Sequence, residues 1–325
     1  MEPGEPQNGE ENPQEEMLYS SIYNVVGGTE EDRRIAVEDF ILTFHSHKGK
    51  SFTEKGEKYD LSEFEREKTP EETELVQKLL DKLAGFFSEA GINPLKITPD
   101  HIHFLDLEKL KSKNLPPVHF CEPNDQYIGV VGTESKLATA QAIVHEAVHF
   151  NTFHSAEITK NRTVQMRRTG ASMRIRGERE FYFHDINEVV TTEIEKLFER
   201  ENFDSIPEIQ EEWQKRQEFV RGMKQTYPEK ADLADDVAHV AVNPATGQLD
   251  GVRYGYFTER DAFEELLENM YARNPEMSKE NEDIFMLFVD ATLRGELLPL
   301  ARLVEKTYGK GSFRQLGYNT RSKNT

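Results

Sequence analysis

The chain has 325 residues, 36% of them hydrophobic, which is enough for a sizeable core in roughly one to three domains. Sixty acidic against 40 basic side chains leave a net charge of −20, which argues against a nucleic-acid backbone or an anionic membrane surface as the main partner, because both repel it. The single cysteine, Cys121, excludes an intrachain disulfide and a cysteine-based structural zinc site, so any metal centre must be built from His, Asp and Glu.

Residues 1–17 carry six Glu and no Lys or Arg. They are too polar to offset chain entropy by burial, and a disordered acidic arm is expected. They lack the basic and apolar regions of a signal peptide, and no apolar run approaches the roughly 18 residues of a membrane span. A cytoplasmic protein without membrane or nucleic-acid partners is therefore expected. Residues 18–97 read as a helical region. Thr29 is a candidate N-cap, and Thr69 with Pro70 and Glu72 makes a cap, a first-turn proline and a capping-box Glu. Gly91 is the expected stop.

Residues 98–202 change character. His101–Leu105 and Tyr127–Val131 read as strands, Thr133–Phe150 as a helix, and 162–183 as an antiparallel hairpin whose arms are Thr163–Met166 and Phe181–Phe183, with Gly170 and Gly177 between. A helix follows from about Asp185 to Arg200. Residues 203–308 return to helices: Ser205 with Glu208 reads as a capping box before Trp213, and Thr258 and Ser278 as further helix starts. Residues 309–325 read as a flexible tail. With no repeat and no obvious linker, a single α+β catalytic domain with helical N- and C-terminal elaborations is expected.

The chemistry lies in His145-Glu146-Ala147-Val148-His149, an H-E-x-x-H pattern. Residues four apart share one helix face, so two imidazoles can converge on one ion at the roughly 2.0–2.1 Å that zinc requires. Glu146 can reach a water on that ion without ligating it, and zinc lowers the pKa of such a water to roughly 7, where a carboxylate can take its proton. The flanking Ile143, Val144, Ala147, Val148 and Phe150 are uncharged, so the polar groups need partners inside an apolar helix, and a metal provides them. A third ligand must come from elsewhere. His154, His184, Asp185 and Glu188 are the candidates. Asp185 and Glu188 also form a D-x-x-E pattern that would occupy Glu188 as a helix cap.

The H-E-A-V-H segment followed by Asn187-Glu188-Val189-Val190-Thr191-Thr192-Glu193 resembles the gluzincin clan of zinc metallopeptidases, over roughly residues 100–200. The resemblance implies a zincin-like core: a small mixed sheet whose edge strand presents the substrate, an active-site helix and a Glu-bearing helix. It implies one Zn2+ per chain held by His145, His149 and Glu188, Glu146 as general base, and a peptide or protein substrate. Two departures stand out: the spacing from His149 to Glu188 is long, and the position four after Glu188 is Thr192, with the acid one later at Glu193. A donor for the developing oxyanion is needed as well; Tyr182, His239, Tyr254 and Tyr256 are candidates, and the glycine-rich 250–256 segment reads as a loop over the site or a surface turn. The pair His101 and His103 reads as a solvent-touching strand face, with a second metal as the alternative. Two competing functions are a catalytically inactive zincin-fold scaffold, which the intact Glu146 disfavours, and a regulatory or toxin-like protease with one protein target.

Overall fold

The computed structural model describes residues 22–46, 50–54, 57–175, 180–277 and 283–321. The expected acidic arm, Gly177 and Ser278 lie outside the described residues. Among the described residues the architecture is mixed, with many helices and four small sheets, as expected for an α+β chain.

The N-terminal region is not purely helical. Strand β1 (Ile22–Gly27) leads into helix α1 (Glu30–Phe44), capped by Thr29 in a reciprocal box with Asp32. A short hairpin of β2 (Ser51–Glu54) and β3 (Glu57–Asp60) follows, then β4 (Glu65–Arg66) and α2 (Pro70–Glu89). Helix α2 starts at Thr69, Pro70 and Glu72 as the sequence predicts and ends just before Gly91. Its Leu75, Val76, Leu79, Leu80 and Leu83 stripe is buried in the main core. This region is tied into the centre by backbone pairing, because β1 pairs with a strand after the central helix and β4 pairs with β5 (Ile102–Leu105).

The central sheet has the order β4-β5-β7-β6, with α3 (Leu107–Ser112) between β5 and β6 (Phe120–Glu122), and β7 (Tyr127–Val131) running parallel to β5. Strand β6 is antiparallel to β7 and forms the sheet edge. Strands β5 and β7 are buried throughout, as a strand covered on both faces must be. His101 and His103 are buried here rather than solvated. His101 Nδ1 accepts from the Thr98 N–H at 3.1 Å and its Nε2 lies 3.0 Å from the Phe44 carbonyl; His103 Nδ1 lies 2.6 Å from Glu65.

Helix α4 (Lys136–Asn151) crosses beneath this sheet, and nearly all of its residues are buried. An all-round buried helix needs no amphipathic stripe. Its N-cap Ser135 accepts from the Ala138 N–H, while the Glu212 carboxylate accepts from Lys136 N–H at 3.0 Å, placing a negative charge at the positive end of the helix.

A second sheet has the order β1-β8-β9-β10-β11, from β8 (His154–Ile158), β9 (Val164–Thr169), β10 (Ser172–Arg174) and β11 (Phe181–Tyr182). The expected two-arm hairpin is thus a meander: β9 pairs with β8 and β10, and β10 pairs with β11. The missed signal was β8, whose His-Ser-Ala-Glu-Ile sequence alternates poorly. The β9–β10 turn closes at Gly170, with φ +59°, where a Cβ would fall 2.0 Å from Asn187 Oδ1. That same oxygen accepts the Ala171 N–H at 3.0 Å, so the turn is sewn to helix α5 (His184–Asn202).

The C-terminal region adds α6 (Gln210–Thr226), α7 (Ala231–Asp235), the hairpin β12 (Val237–Val242) and β13 (Leu249–Arg253), and helices α8 (Phe257–Arg273), α9 (Asp283–Leu293), α10 (Leu297–Tyr308) and α11 (Ser312–Asn319). The Ser205–Glu208 capping box does not form. Ser205 Oγ donates to the Asn202 carbonyl, Glu208 pairs with Lys78, and the helix begins at Gln210. The expected loose tail also differs: Ser312–Asn319 is helical, and Phe313 packs on Phe183 with ring centroids 4.6 Å apart. The apolar residues it needs for docking are few but concentrated on one side. Among the described residues no helix is long and apolar enough to cross a membrane.

Candidate metal centre

Helices α4 and α5 pack side by side, and the site sits between them. Helix α4 supplies His145 and His149, one turn apart, and α5 supplies Glu188. Ligand atoms of these three residues all lie within 4.8 Å of one another, so the group can hold a metal ion. His149 Nε2 is 3.1 Å and His145 Nε2 3.8 Å from Glu188 Oε2. Two ligands of a tetrahedral zinc stand about 3.3 Å apart, from bond lengths near 2.0–2.1 Å. The two distances to Glu188 bracket that value, and the group as a whole, with ligand atoms within 4.8 Å of one another, closes further around an ion.

The helix-cap alternative for Glu188 is not realised. Phe183, at φ +61°, is the N-cap of α5, with no side-chain cap bond, and Asp185 is already inside the helix. The N–H groups of Phe183 and Asp185 are taken instead by the carbonyls of Gly317 and Thr320. Glu188 is left to face the imidazoles. Burial would raise its carboxyl, but the charges and hydrogen bonds of His149 and His145 win and hold it well below the usual carboxylate range. Burial acts on His145 in the opposite direction to Glu188 and Glu195, which together raise it well above its ordinary value.

The two imidazoles are oriented from behind. His145 Nδ1 donates to Glu195 Oε2 at 2.9 Å, which fixes the tautomer and turns Nε2 toward Glu188. His149 Nδ1 lies 3.4 Å from Thr191 Oγ1 and 3.5 Å from Asn187 Nδ2. The position four after Glu188 is Thr192, and the acid one later, Glu193, does not stand behind the imidazoles. Glu193 instead pairs with Arg260 and Lys196, and the residue that touches His145 is Glu195, two turns from Glu188 on the same face. The i, i+7 spacing of these two acids is the signal that could have found it.

A cleft of about 360 Å³ opens over the three side chains. It is walled by His119, Cys121 and Pro123 at the edge strand β6, by Thr169, Ser172 and Phe181 of the meander, and by Tyr256. Glu146 lines it, buried; burial raises its carboxyl, and the charges of His145 and His149 oppose that rise. His119 Nδ1 accepts the Val131 N–H at 3.1 Å, so its remaining proton is on Nε2; burial and then the His145 charge hold it down to about 4. Burial, with the charge of Glu146 behind it, pushes the Cys121 thiol up.

Several sequence candidates fall elsewhere. His154 is wholly buried at the start of β8 and is not part of the three-residue group. His184 lines the cleft, with Nδ1 3.8 Å from Glu188 Oε1, but it too is outside that group. His239 Nδ1 lies 3.3 Å from Gln141 Oε1, and Tyr254 donates to Glu199 at 2.5 Å; neither lines the cleft. Tyr182 is buried against Tyr318. Among the four donor candidates it is Tyr256 that reaches the cleft, its ring parallel to that of His145 at 6.5 Å between centroids. It follows hairpin strand β13, so the 250–256 segment is mostly a strand that delivers one tyrosine to the site. Comparison of the chain with protein-family models, with curated proteins and with solved structures gave no match.

Proposed function

We propose that the chain is a zinc-dependent peptidase of the gluzincin type, with a zincin-like core formed by the β4-β5-β7-β6 sheet, α4 and α5. The observation that carries this reading is the convergence of His145, His149 and Glu188 in a cleft that also holds Glu146. The donor set, two imidazoles and a carboxylate with a carboxylate behind one imidazole, suits zinc better than calcium or magnesium, which take all-oxygen sites. His145, His149 and Glu188 would hold one ion per chain.

When bound, zinc supplies Lewis acidity toward a carbonyl oxygen and makes a water more acidic. The chain does the rest. Glu146 takes a proton from the attacking water and delivers it to the departing amine. Tyr256 O–H, which bonds Glu188 in the metal-free fold, and His119 Nε2–H are the cleft donors that would turn to the carbonyl oxygen as charge develops there. Glu195 keeps His145 turned toward the ion. Strand β6, an unpaired edge beside the cleft, offers backbone groups to an extended peptide. The substrate class is a peptide or protein and the setting cytoplasmic.

Metal analysis of purified protein, read together with hydrolysis of a peptide library, tests the reading. About one zinc per chain is expected, with Glu146→Gln keeping the zinc and losing hydrolysis. Zinc binding without hydrolysis in the parent chain would leave a scaffold; a fully active Glu146→Gln variant would refute the mechanism.

A further inference from the structure

Behind the ligand pair a buried chain of polar groups runs on from Glu195. Glu195 accepts from His145 Nδ1–H. One turn further along α5, Glu199 is wholly buried. Its Oε2 accepts from Tyr254 O–H at 2.5 Å and from Gln141 Nε2 at 3.1 Å. Gln141 belongs to α4, one turn before His145, and its Nε2 also donates to the Ala238 carbonyl at 2.9 Å. Tyr254 comes from the end of the C-terminal hairpin. The network joins three parts of the fold.

The accounting of donors is uneven. Glu199 Oε2 has two donors, whereas Glu199 Oε1 is buried and, among the described residues, no N–H or O–H donates to it. A buried carboxylate oxygen without a donor costs about 1–3 kcal/mol or more. The group that interacts with this carboxyl along the helix is Glu195, itself an acceptor. A charge on Glu199 would be repelled by the Glu195 carboxylate in a site that water does not reach. If Glu199 is the neutral acid, its own O–H supplies the missing bond and Glu195 gains a donor opposite His145. Burial pushes the Glu199 carboxyl well above the usual range, and the Glu195 charge adds to it.

The geometry points to Glu199 as a positioning residue: a neutral carboxylic acid that donates to Glu195 and so holds the carboxylate that orients His145. It works as a hydrogen-bond donor, not as a charge. This goes one step behind the metal ligands and rests on the metal reading only for its effect on affinity; the protonation itself belongs to the metal-free fold.

Carboxyl carbon NMR of protein labelled at glutamate tests it without any metal. One glutamate resonance should keep the chemical shift of the neutral acid at pH 7.5, and Glu199→Gln should remove it. Zinc affinity, measured by chelator competition, supplies the second arm. Glu199→Gln retains a donor and should stay within about twofold of the parent, whereas Glu199→Leu and Glu195→Gln should each weaken zinc about tenfold or more. Glu199→Leu that fails to fold would leave the NMR arm and the Gln variant to decide. Absence of a neutral glutamate, or a Glu199→Gln loss as large as that of Glu195→Gln, would overturn the proposal. Absence of zinc from the parent chain, with the neutral glutamate present, would instead overturn the metal reading.

Discussion

Two glycine-to-alanine substitutions should change stability in opposite directions. Gly170 closes the β9–β10 turn at φ +59°, a region that costs an L-residue about 1 kcal/mol. Its added Cβ would meet Asn187 Oδ1 at 2.0 Å and Thr292 Cγ2 at 3.1 Å. Asn187 must then move, and the buried Ala171 N–H loses its acceptor, for about 1–3 kcal/mol more. Gly170→Ala is therefore expected to destabilise by about 2–4 kcal/mol. Gly85 is an exposed position inside α2 with nothing within 4 Å of its virtual Cβ, so Gly85→Ala should stabilise by about 0.5–1 kcal/mol. Urea denaturation followed by circular dichroism measures both. The clash component has its own check, because adding Asn187→Ala to Gly170→Ala should cost less than the sum of the single changes. If Gly170→Ala unfolds within 0.5 kcal/mol of the parent, in the sense of about one RT, the meander turn is not tied to α5 as described.

Three further outcomes are expected. Glu188→Ala should lose stoichiometric zinc on dialysis while His184→Asn keeps it; the reverse pattern would move the third ligand to His184. Tyr256→Phe should lower kcat about 100- to 1,000-fold on a peptide substrate with zinc content unchanged, the cost of one oxyanion donor, and full activity would reject that role. Lys50 is buried, and burial brings its ammonium down to about 8 against the pull of Asp125 and Glu65. Its folded value lies below the unfolded one, so its contribution is complete above about pH 10.4 and is lost as pH falls through 8. Charged Lys50 thus costs the fold up to about 3 kcal/mol at pH 7, and Lys50→Met should be more stable than the parent there, with the gap closing toward pH 10.5; a pH-independent difference would contradict this.

The central elements were legible because their signals are local. The Thr69-Pro70-Glu72 start, the Tyr127–Val131 strand and the H-E-x-x-H helix each depend on residues a few positions apart, and side chains at those spacings meet whatever the rest of the chain does. The errors came where a distant partner decides. Strand β8 pairs with β1, more than a hundred residues earlier, and no local alternation marks it. The cap of α5 is made by backbone carbonyls near residue 320, so the D-x-x-E pattern misdirects. Glu195 and Tyr256 reach the site through the packing of α5 and the delivery of β13, which the local pattern does not encode. Glu188 was reached through family resemblance; the geometry supplies an independent reason for it.

The manner in which α5 is capped also sets an order of assembly. Gly317 and Thr320, which close its first turn, lie well over a hundred residues downstream of Glu188. Synthesis proceeds from the N-terminus, and nascent domains fold as units. On a growing chain His145 and His149 can pair with Glu188 long before the turn that carries Glu188 has its acceptors. The early site would be looser until α11 docks on Phe183. A metal captured early would then be held by a helix still free to fray, whereas one captured after docking meets a finished cage.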